Sequence, residues 1–293
     1  MPTFNGLEQI VRTEYRLARH TWYGLGGPAQ YFIRPEDVDQ LREVVRRCQD
    51  QGLAMHVLGF GSNLLVGDAG VRGAVIKLGA ESFSQVRVEG ESVVAGAGAD
   101  LSRLVLDCVK KGLSGLEGLT GIPGSVGGAV RMNAGGRFGD IGAVVESVTC
   151  LGIDGHVHDK SKPELSFDYR SCNVASPFIL GARFRLIQGD PEQILRTVQE
   201  VWIYKKNHQP LNTRNCGCVF KNPKGQSAGV LIDRAGLKGL QVGGAKVSEK
   251  HANFIVAEKG CTSDDVLRLI AAVRTKVKEQ SGVELETEIE IWE

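Results

Sequence analysis

Residues 121–136 read GIPGSVGGAVRMNAGG, with glycine at 121, 124, 127, 128, 135 and 136 and a proline at 123. Neither helix nor strand propensity accounts for such a run. Glycine costs about 1 kcal/mol per residue inside a helix and gives a strand nothing to pack. What it gains is positive φ and a backbone that can come close to a ligand. Free N–H groups with no side chains in the way suit a phosphate or a flat cofactor ring. Tight turns alone would use glycine in the same way, so the reading leans on a second loop. Gly59-Phe60-Gly61-Ser62-Asn63-Leu64-Leu65 follows the apolar run Met55–Leu58 and offers two glycines, a hydroxyl and an amide just past a predicted strand.

The loops punctuate a regular pattern. Pro35-Glu36-Asp37 opens a helix in which Val38, Leu41, Val44, Val45 and Cys48 share a face and Gly52 ends the run. A strand at 55–58 and another at 73–78 complete a small β-α-β unit with its loop at a strand's carboxyl end, a usual place for a ligand. From residue 82 the texture changes to short strands at 85–88 and 92–95, a helix over 100–111, and strands at 144–153 and 178–186. A third part starts near Gly189-Asp190-Pro191. Its first helix, 192–206, is read with Ile194, Leu195, Val198, Val201 and Trp202 on one face. A strand is expected at 252–257, then a helix capped by Ser263, then a period-2 strand over 283–292 with Glu284, Glu286, Glu288 and Glu290 on one side. The division expected is 1–80, 81–187 and 188–293.

The chain has 293 residues, a formal net charge of +1, 42% hydrophobic and 24% charged residues. That is globular composition, large enough for two or three cored domains. Near-neutral charge gives no reason to expect nucleic acid or a membrane surface as partner. No apolar run reaches the ~18 residues of a membrane span, and the N-terminus lacks the apolar stretch of a signal peptide. Seven irregularly spaced cysteines make no disulfide framework, so reduced thiols and a cytoplasmic location are expected. Cys216-x-Cys218 has no companion at zinc spacing, and no metal is expected.

Two Gly-rich loops fed by strands argue for a large phosphate-bearing cofactor. Neither is a G-x-G-x-x-G opening a helix nor a G-x-x-x-x-G-K-[ST], which disfavours both a Rossmann dinucleotide site and a P-loop. Taken in order, GFGSNLLV, GIPGSVGGAVRMNAG, Tyr169-Arg170, GCVFKNP, SEKHANFIV and LETEIEI resemble the UDP-N-acetylenolpyruvoylglucosamine reductase (UDP-N-acetylmuramate dehydrogenase) family over nearly the whole chain. The resemblance implies an α+β protein: a two-part FAD-binding domain of the vanillyl-alcohol-oxidase type plus a C-terminal α+β substrate-binding domain. It implies an FAD oxidoreductase of bacterial peptidoglycan synthesis, acting as a monomer. With NADPH as cosubstrate, the family reduces the enolpyruvyl ether of UDP-N-acetylglucosamine to UDP-N-acetylmuramate. Two other readings stay open: a flavin oxidase or dehydrogenase of the same fold acting on a hydroxy acid or sugar, and a non-catalytic FAD-binding scaffold.

The resemblance also implies roles. FAD is expected against Gly59, Phe60, Gly61, Ser62, Asn63 and Leu64, with its ring near Gly121, Pro123, Gly124, Ser125, Gly128, Asn133, Ala134 and Gly135. The chemistry constrains the rest. An enol ether accepts hydride at C3 only because conjugation to a carboxylate lets charge develop there as an enolate. The site therefore needs an electrophile for that charge and an acid for C2. Arg170 matches the family arginine, whose guanidinium fork suits a carboxylate. Glu288 matches the family glutamate, expected as a protonated acid held so by desolvation. Cys218 stands where the family usually has the serine that protonates C2; a thiol, which ordinarily titrates at about 8.5, gives up a proton far more readily than an alcohol. Tyr169, Lys221 and Asn222 fall at substrate-contacting positions.

Departures remain. A phosphate-binding lysine of the family falls at His208, Cys172 and Val174 replace a serine and a phenylalanine after Tyr169-Arg170, and Thr287 replaces a proline. The short link between Val174 and Phe178 leaves little room for the tyrosine-bearing loop insertion, so the chain is read as the shorter family type.

Overall fold

The computed structural model describes residues 3–293, which fall into two compact units, each assembled from separate stretches of chain. The first holds residues up to Thr13, Tyr31–Phe60 and Arg72–Tyr204; the second holds Glu14–Gln30, Gly61–Val71 and Lys205–Glu293. Helix and strand are mixed in both.

In the first unit, helix α1 (Val38–Asp50) starts where Asp37 accepts the backbone N–H of Gln40. It buries Leu41, Val44, Val45 and Cys48, the face its sequence spacing predicts. Strand Met55–Leu58 follows and pairs in parallel with Val71–Lys77, from Met55 opposite Ala74 to Leu58 opposite Lys77. The β-α-β expectation holds, and the Gly59 loop leaves the carboxyl end of its strand. These elements share a core with Phe4, Ile33, Ile76, Phe83 and Phe178.

The rest of this unit is built on a five-stranded antiparallel sheet in the order Val157–Ser161, Val145–Leu151, Phe178–Arg185, Ser92–Gly96, Val86–Glu89. Helix α2 (Leu101–Lys110), capped by Asp100, and the short α3 (Val126–Arg131), capped by Ser125, contribute to its core through Leu101, Leu104, Val105, Val126 and Val130. Helix α4 (Pro191–His208) adds Ile194 and Val198. Its buried stripe is narrower than the spacing suggested. Ile194, Val198, Val201 and Lys205 are buried, whereas Leu195 and Trp202 are 43% and 45% exposed. One position along a helix is a rotation of about 100°, enough to carry Leu195 and Trp202 off the stripe.

The second unit packs α5 (Ala228–Arg234) and α6 (Ser263–Ser281) with a three-stranded antiparallel sheet, Gln241–Val242, Ala245–Val247 and Ile255–Ala257. Tyr23, Leu25 and Leu65 come from the N-terminal third to join Phe220, Ile232, Val266 and Leu285 in its core. Thr262, not Ser263, caps α6, accepting from Asp265 N–H in a reciprocal capping box; Ser263 instead donates to Val66 O at 2.6 Å. The period-2 segment pairs as a strand only at Glu290–Trp292, in parallel with Leu64–Val66, and as a single bridge between Thr287 and Phe220. Among the described residues no helix is long and apolar enough to cross a membrane.

Candidate active site

In the first unit the end of strand Met55–Leu58 delivers Gly59 and Phe60 beside Lys77. The Lys77 ammonium donates to the Gly59 carbonyl at 2.5 Å and lies 5.6 Å from the centre of the Phe60 ring. Burial, with Arg34 as a smaller contributor, lowers the Lys77 pKa to about 8. A trans peptide points its C=O and N–H in opposite directions. With the Gly59 carbonyl held by Lys77, the Phe60 N–H faces away from it. Among the described residues that N–H meets no backbone acceptor. Gly59 also passes close to the second loop: a Cβ there would lie 2.5 Å from Ser125 Oγ.

The second loop, 121–136, divides by conformation. Gly124 has φ +145°, which other residues rarely adopt. Ser125 then caps α3 by accepting from Gly128 N–H at 3.3 Å. Six helical residues follow before Asn133, itself at φ +41°. The Asn133 amide accepts from Gly142 N–H and donates to Asp168 O, both at 3.0 Å. Gly135 pairs with Asp140 in a two-residue hairpin.

That Asp168 bond ties the glycine loop to the arginine. Phe167–Asp168 and Ser171–Cys172 pair antiparallel with Asp168 opposite Ser171, leaving Tyr169 and Arg170 as the tip of a tight hairpin. Arg170 takes φ +57°, unusual for a side-chain-bearing residue, and its guanidinium lies 4.9 Å from the Tyr169 ring centre. Its place in the turn accounts for that conformation.

In the second unit the sequence-selected residues gather on adjacent backbone. Cys216 is buried and donates to Leu64 O at 3.1 Å, and burial pushes its thiol up to about 12. That thiol is a packing group. Cys218, two residues on, is half-buried. Val219 O accepts from Glu288 N–H at 2.7 Å, and Lys221 N–H donates to Glu286 O at 2.8 Å, so the 219–221 segment runs against 286–288. Glu288 is half-buried while Glu284, Glu286 and Glu290 are exposed, which singles it out among the four. The Lys221 ammonium pairs with Glu286 at 2.5 Å. Asn222 accepts from Ala228 N–H at 3.0 Å, at the start of α5. Asn63 donates to Glu288 O at 3.1 Å, and Asn63 O accepts from Glu290 N–H at 2.9 Å. The first Gly-rich loop is thereby joined to the glutamate segment. Gly61 is confined: at φ +64°, a Cβ would lie 2.0 Å from His20 O. Ser62 is half-buried, Leu64 buried, and His208 exposed at the end of α4.

Tyr169, Arg170, Gly59, Phe60 and the 121–135 loop thus belong to the first unit, and Gly61–Leu64, Cys218, Lys221, Asn222 and Glu288 to the second. Two residues that sequence reading passed over carry much of this geometry. Lys77 is the one charge in the otherwise apolar run 73–78, which is a usable signal. Asn253 lies inside SEKHANFIV, where nothing in the sequence separates it from its neighbours.

The chain is similar to known proteins over nearly its whole length. A family model described as "FAD binding domain" matches residues 29–161, and one described as "UDP-N-acetylenolpyruvoylglucosamine reductase, C-terminal domain" matches residues 209–292. The UDP-N-acetylenolpyruvoylglucosamine reductase of Bacillus licheniformis is 42% identical over 278 residues, 94% of this chain and 91% of that protein. That of Moorella thermoacetica is 42% identical over 288 residues, 98% of this chain and 95% of the other. A crystal structure of the Thermus caldophilus enzyme, also 42% identical, superposes with a TM-score of 0.83 over 97% of this chain and all of that one. Fold and site therefore define an oxidoreductase that pairs an FAD-binding domain with a C-terminal reductase domain. The chain belongs to the UDP-N-acetylenolpyruvoylglucosamine reductase family, FAD-containing enzymes of peptidoglycan synthesis.

The residues present fit FAD. The Phe60 N–H turned away from Lys77, and the Lys77 charge beside it, suit an anionic group, and the positive φ of Gly124 keeps a side chain off the second loop.

Proposed function

We propose that this chain reduces the enolpyruvyl ether of UDP-N-acetylglucosamine to UDP-N-acetylmuramate with NADPH as the electron source. The loops at 59–64 and 121–135 would hold FAD, which would supply the hydride chemistry between NADPH and C3 of the enolpyruvyl group. Arg170 pairs with the substrate carboxylate and stabilises the charge that develops there. Glu288 donates a hydrogen bond to the same enolic group as a protonated acid. The Cys218 thiol gives its proton to C2 and regains one from solvent, so that one double bond is consumed by one hydride and one proton. Tyr169, Lys221 and Asn222 orient the substrate. The protein acts as a cytoplasmic monomer.

The observation that carries this reading is the tie between Cys218 and Glu288: Val219, next to the thiol residue, accepts the Glu288 backbone N–H. This backbone bond supports a site in which the two groups meet one three-carbon unit. The division at 1–80, 81–187 and 188–293 belongs to the same proposal. Most residues of the three hydrophobic cores fall one core to each part, but Tyr23, Leu25 and Leu65 lie in the C-terminal core, Leu151, Phe178 and Leu180 in the first, and the α4 residues Ile194 and Val198 in the middle one. The test is anaerobic. NADPH should bleach the yellow protein, and the enolpyruvyl substrate should restore the colour in a single turnover with UDP-N-acetylmuramate as product. Restoration by hydroxy acids or sugars in the reverse sense, or no response to NADPH, would favour the oxidase or the scaffold.

A further inference from the structure

Asn253 is 2% exposed and lies where the chain would otherwise need another strand. Its side-chain oxygen accepts from Phe220 N–H at 3.0 Å, and its side-chain nitrogen donates to Phe220 O at 2.8 Å. One amide thus satisfies both backbone groups of one residue, as a neighbouring strand would. The backbone takes part as well: Asn253 O accepts from Val219 N–H at 2.8 Å. On its other edge the same segment holds the glutamate strand through Glu288 N–H to Val219 O and Lys221 N–H to Glu286 O. Upstream, Cys216 is tied to Leu64 O, and Gly217, at φ +79°, donates to Asn215 Oδ1 at 2.9 Å. Cys218 therefore sits between two anchored points, of which Asn253 supplies the second.

We infer that Asn253 is a positioning residue for the Cys218–Glu288 pair: through Phe220 and Val219 it sets where the thiol and the carboxyl stand relative to each other. The inference rests on the roles proposed above for those two side chains. Asn253 reaches no reacting atom itself. Its own N–H donates to His251 Nδ1 at 3.3 Å, which requires a neutral ring, and burial lowers the His251 pKa in keeping with that. His251 also packs edge-on against Phe254, 4.8 Å between ring centres.

The chemistry of an amide supplies a reversible test. Asn253→Asp keeps the shape. While protonated, the new acid donates to Phe220 O and accepts from Phe220 N–H as the amide does. Ionised, it sets a lone pair against Phe220 O. A displacement near 1 Å at a reacting group costs on the order of 100-fold. The substrate-driven reoxidation of pre-reduced Asn253→Asp should therefore slow by roughly 10- to 100-fold at high pH and recover as pH falls. His251 is in direct contact, and the new carboxylate would shift its titration; His251→Gln in both backgrounds separates that contribution. NADPH bleaching and FAD content should stay near wild type, while the melting temperature of Asn253→Asp should fall as pH rises and the buried acid ionises. Asn253→Ala should be slow in reoxidation at every pH. Reoxidation at the wild-type rate in both variants overturns the inference. Loss of FAD, of bleaching and of reoxidation together also overturns it, since that outcome marks a purely structural residue. If wild type itself fails to respond to the enolpyruvyl substrate, or Cys218→Ala and Glu288→Ala respond normally, the underlying functional reading fails first. If those two are impaired and the Asn253 variants are not, only the inference falls.

Discussion

Cys216 and Cys218 stand two residues apart and differ in burial. The first is buried with its hydrogen on a carbonyl, and the second is half-buried beside the glutamate segment. Nothing in C-G-C separates them; only the family position of the second did. For Cys218→Ala the expected outcome is slow reoxidation of reduced enzyme by substrate with NADPH bleaching retained, whereas Cys218→Ser keeps most of the wild-type rate. Stopped-flow absorbance at the flavin band measures both. Substrate should also protect Cys218 from iodoacetamide, read by peptide mass spectrometry. Arg170→Ala and Glu288→Ala should each lower kcat by several orders of magnitude, again with bleaching retained, in line with lost transition-state electrostatics. Lys77 makes a prediction with two opposite signs. Its pKa in the folded protein, about 8, lies below the ordinary 10.5. The unfolded chain thus binds more protons between those values, and this group makes the apoprotein more stable as pH rises through that window. FAD, an anion, should bind less tightly over the same rise. Lys77→Met should flatten both trends, by thermal melts of apoprotein and by flavin fluorescence titration.

At the scale of elements, much was legible because apolar spacing and caps act locally. α1 and α2 follow their spacing and begin at the acids expected of them, Asp37 and Asp100. Strand Met55–Leu58 matches its expected bounds. Misreadings arise where a tertiary partner decides. Leu195 and Trp202 fit a helical face, yet the stripe is completed by Lys205, a residue that sequence counts as polar. Ser263 has the composition of a cap, but its hydroxyl is spent on Val66 O, a partner nearly two hundred residues away, and Thr262 caps instead. The acidic alternation over 283–292 reads as one strand; it is divided between two partners, a single bridge from Thr287 to Phe220 and the strand Glu290–Trp292 along Leu64–Val66. Thr262→Ala removes the α6 capping box and should cost about 1 kcal/mol, visible as a lower melting temperature with FAD content unchanged. For the flavin loops, Gly61→Val is a test of folding as much as of cofactor binding, since its side chain would strike the His20 carbonyl. Gly124→Val also strains the backbone, at φ +145°; its expected result is purified protein without yellow colour and with a lower but cooperative melt.

On the scale of the molecule, motif order was readable and unit boundaries were not. The sequence shows composition changing near residues 81 and 188. It does not show that Tyr23, Leu25 and Leu65 belong to the core formed by residues after 215, because that depends on contacts across most of the chain. The parallel pairing of Leu64–Val66 with Glu290–Trp292 also carries a consequence for biosynthesis. A ribosome makes Val66 and then adds more than two hundred further residues before Trp292 emerges. At about 5–20 residues per second the wait is on the order of ten to fifty seconds. Throughout it the backbone just past the first glycine loop has no strand beside it, while residues up to 204 are already available to fold. Nascent chains stalled before residue 290 should therefore resist protease across the first unit and yet fail to retain flavin. Acquisition of the cofactor would then be a late, post-release event, and the cell would hold a pool of colourless, partly finished protein whose size depends on the rate of translation.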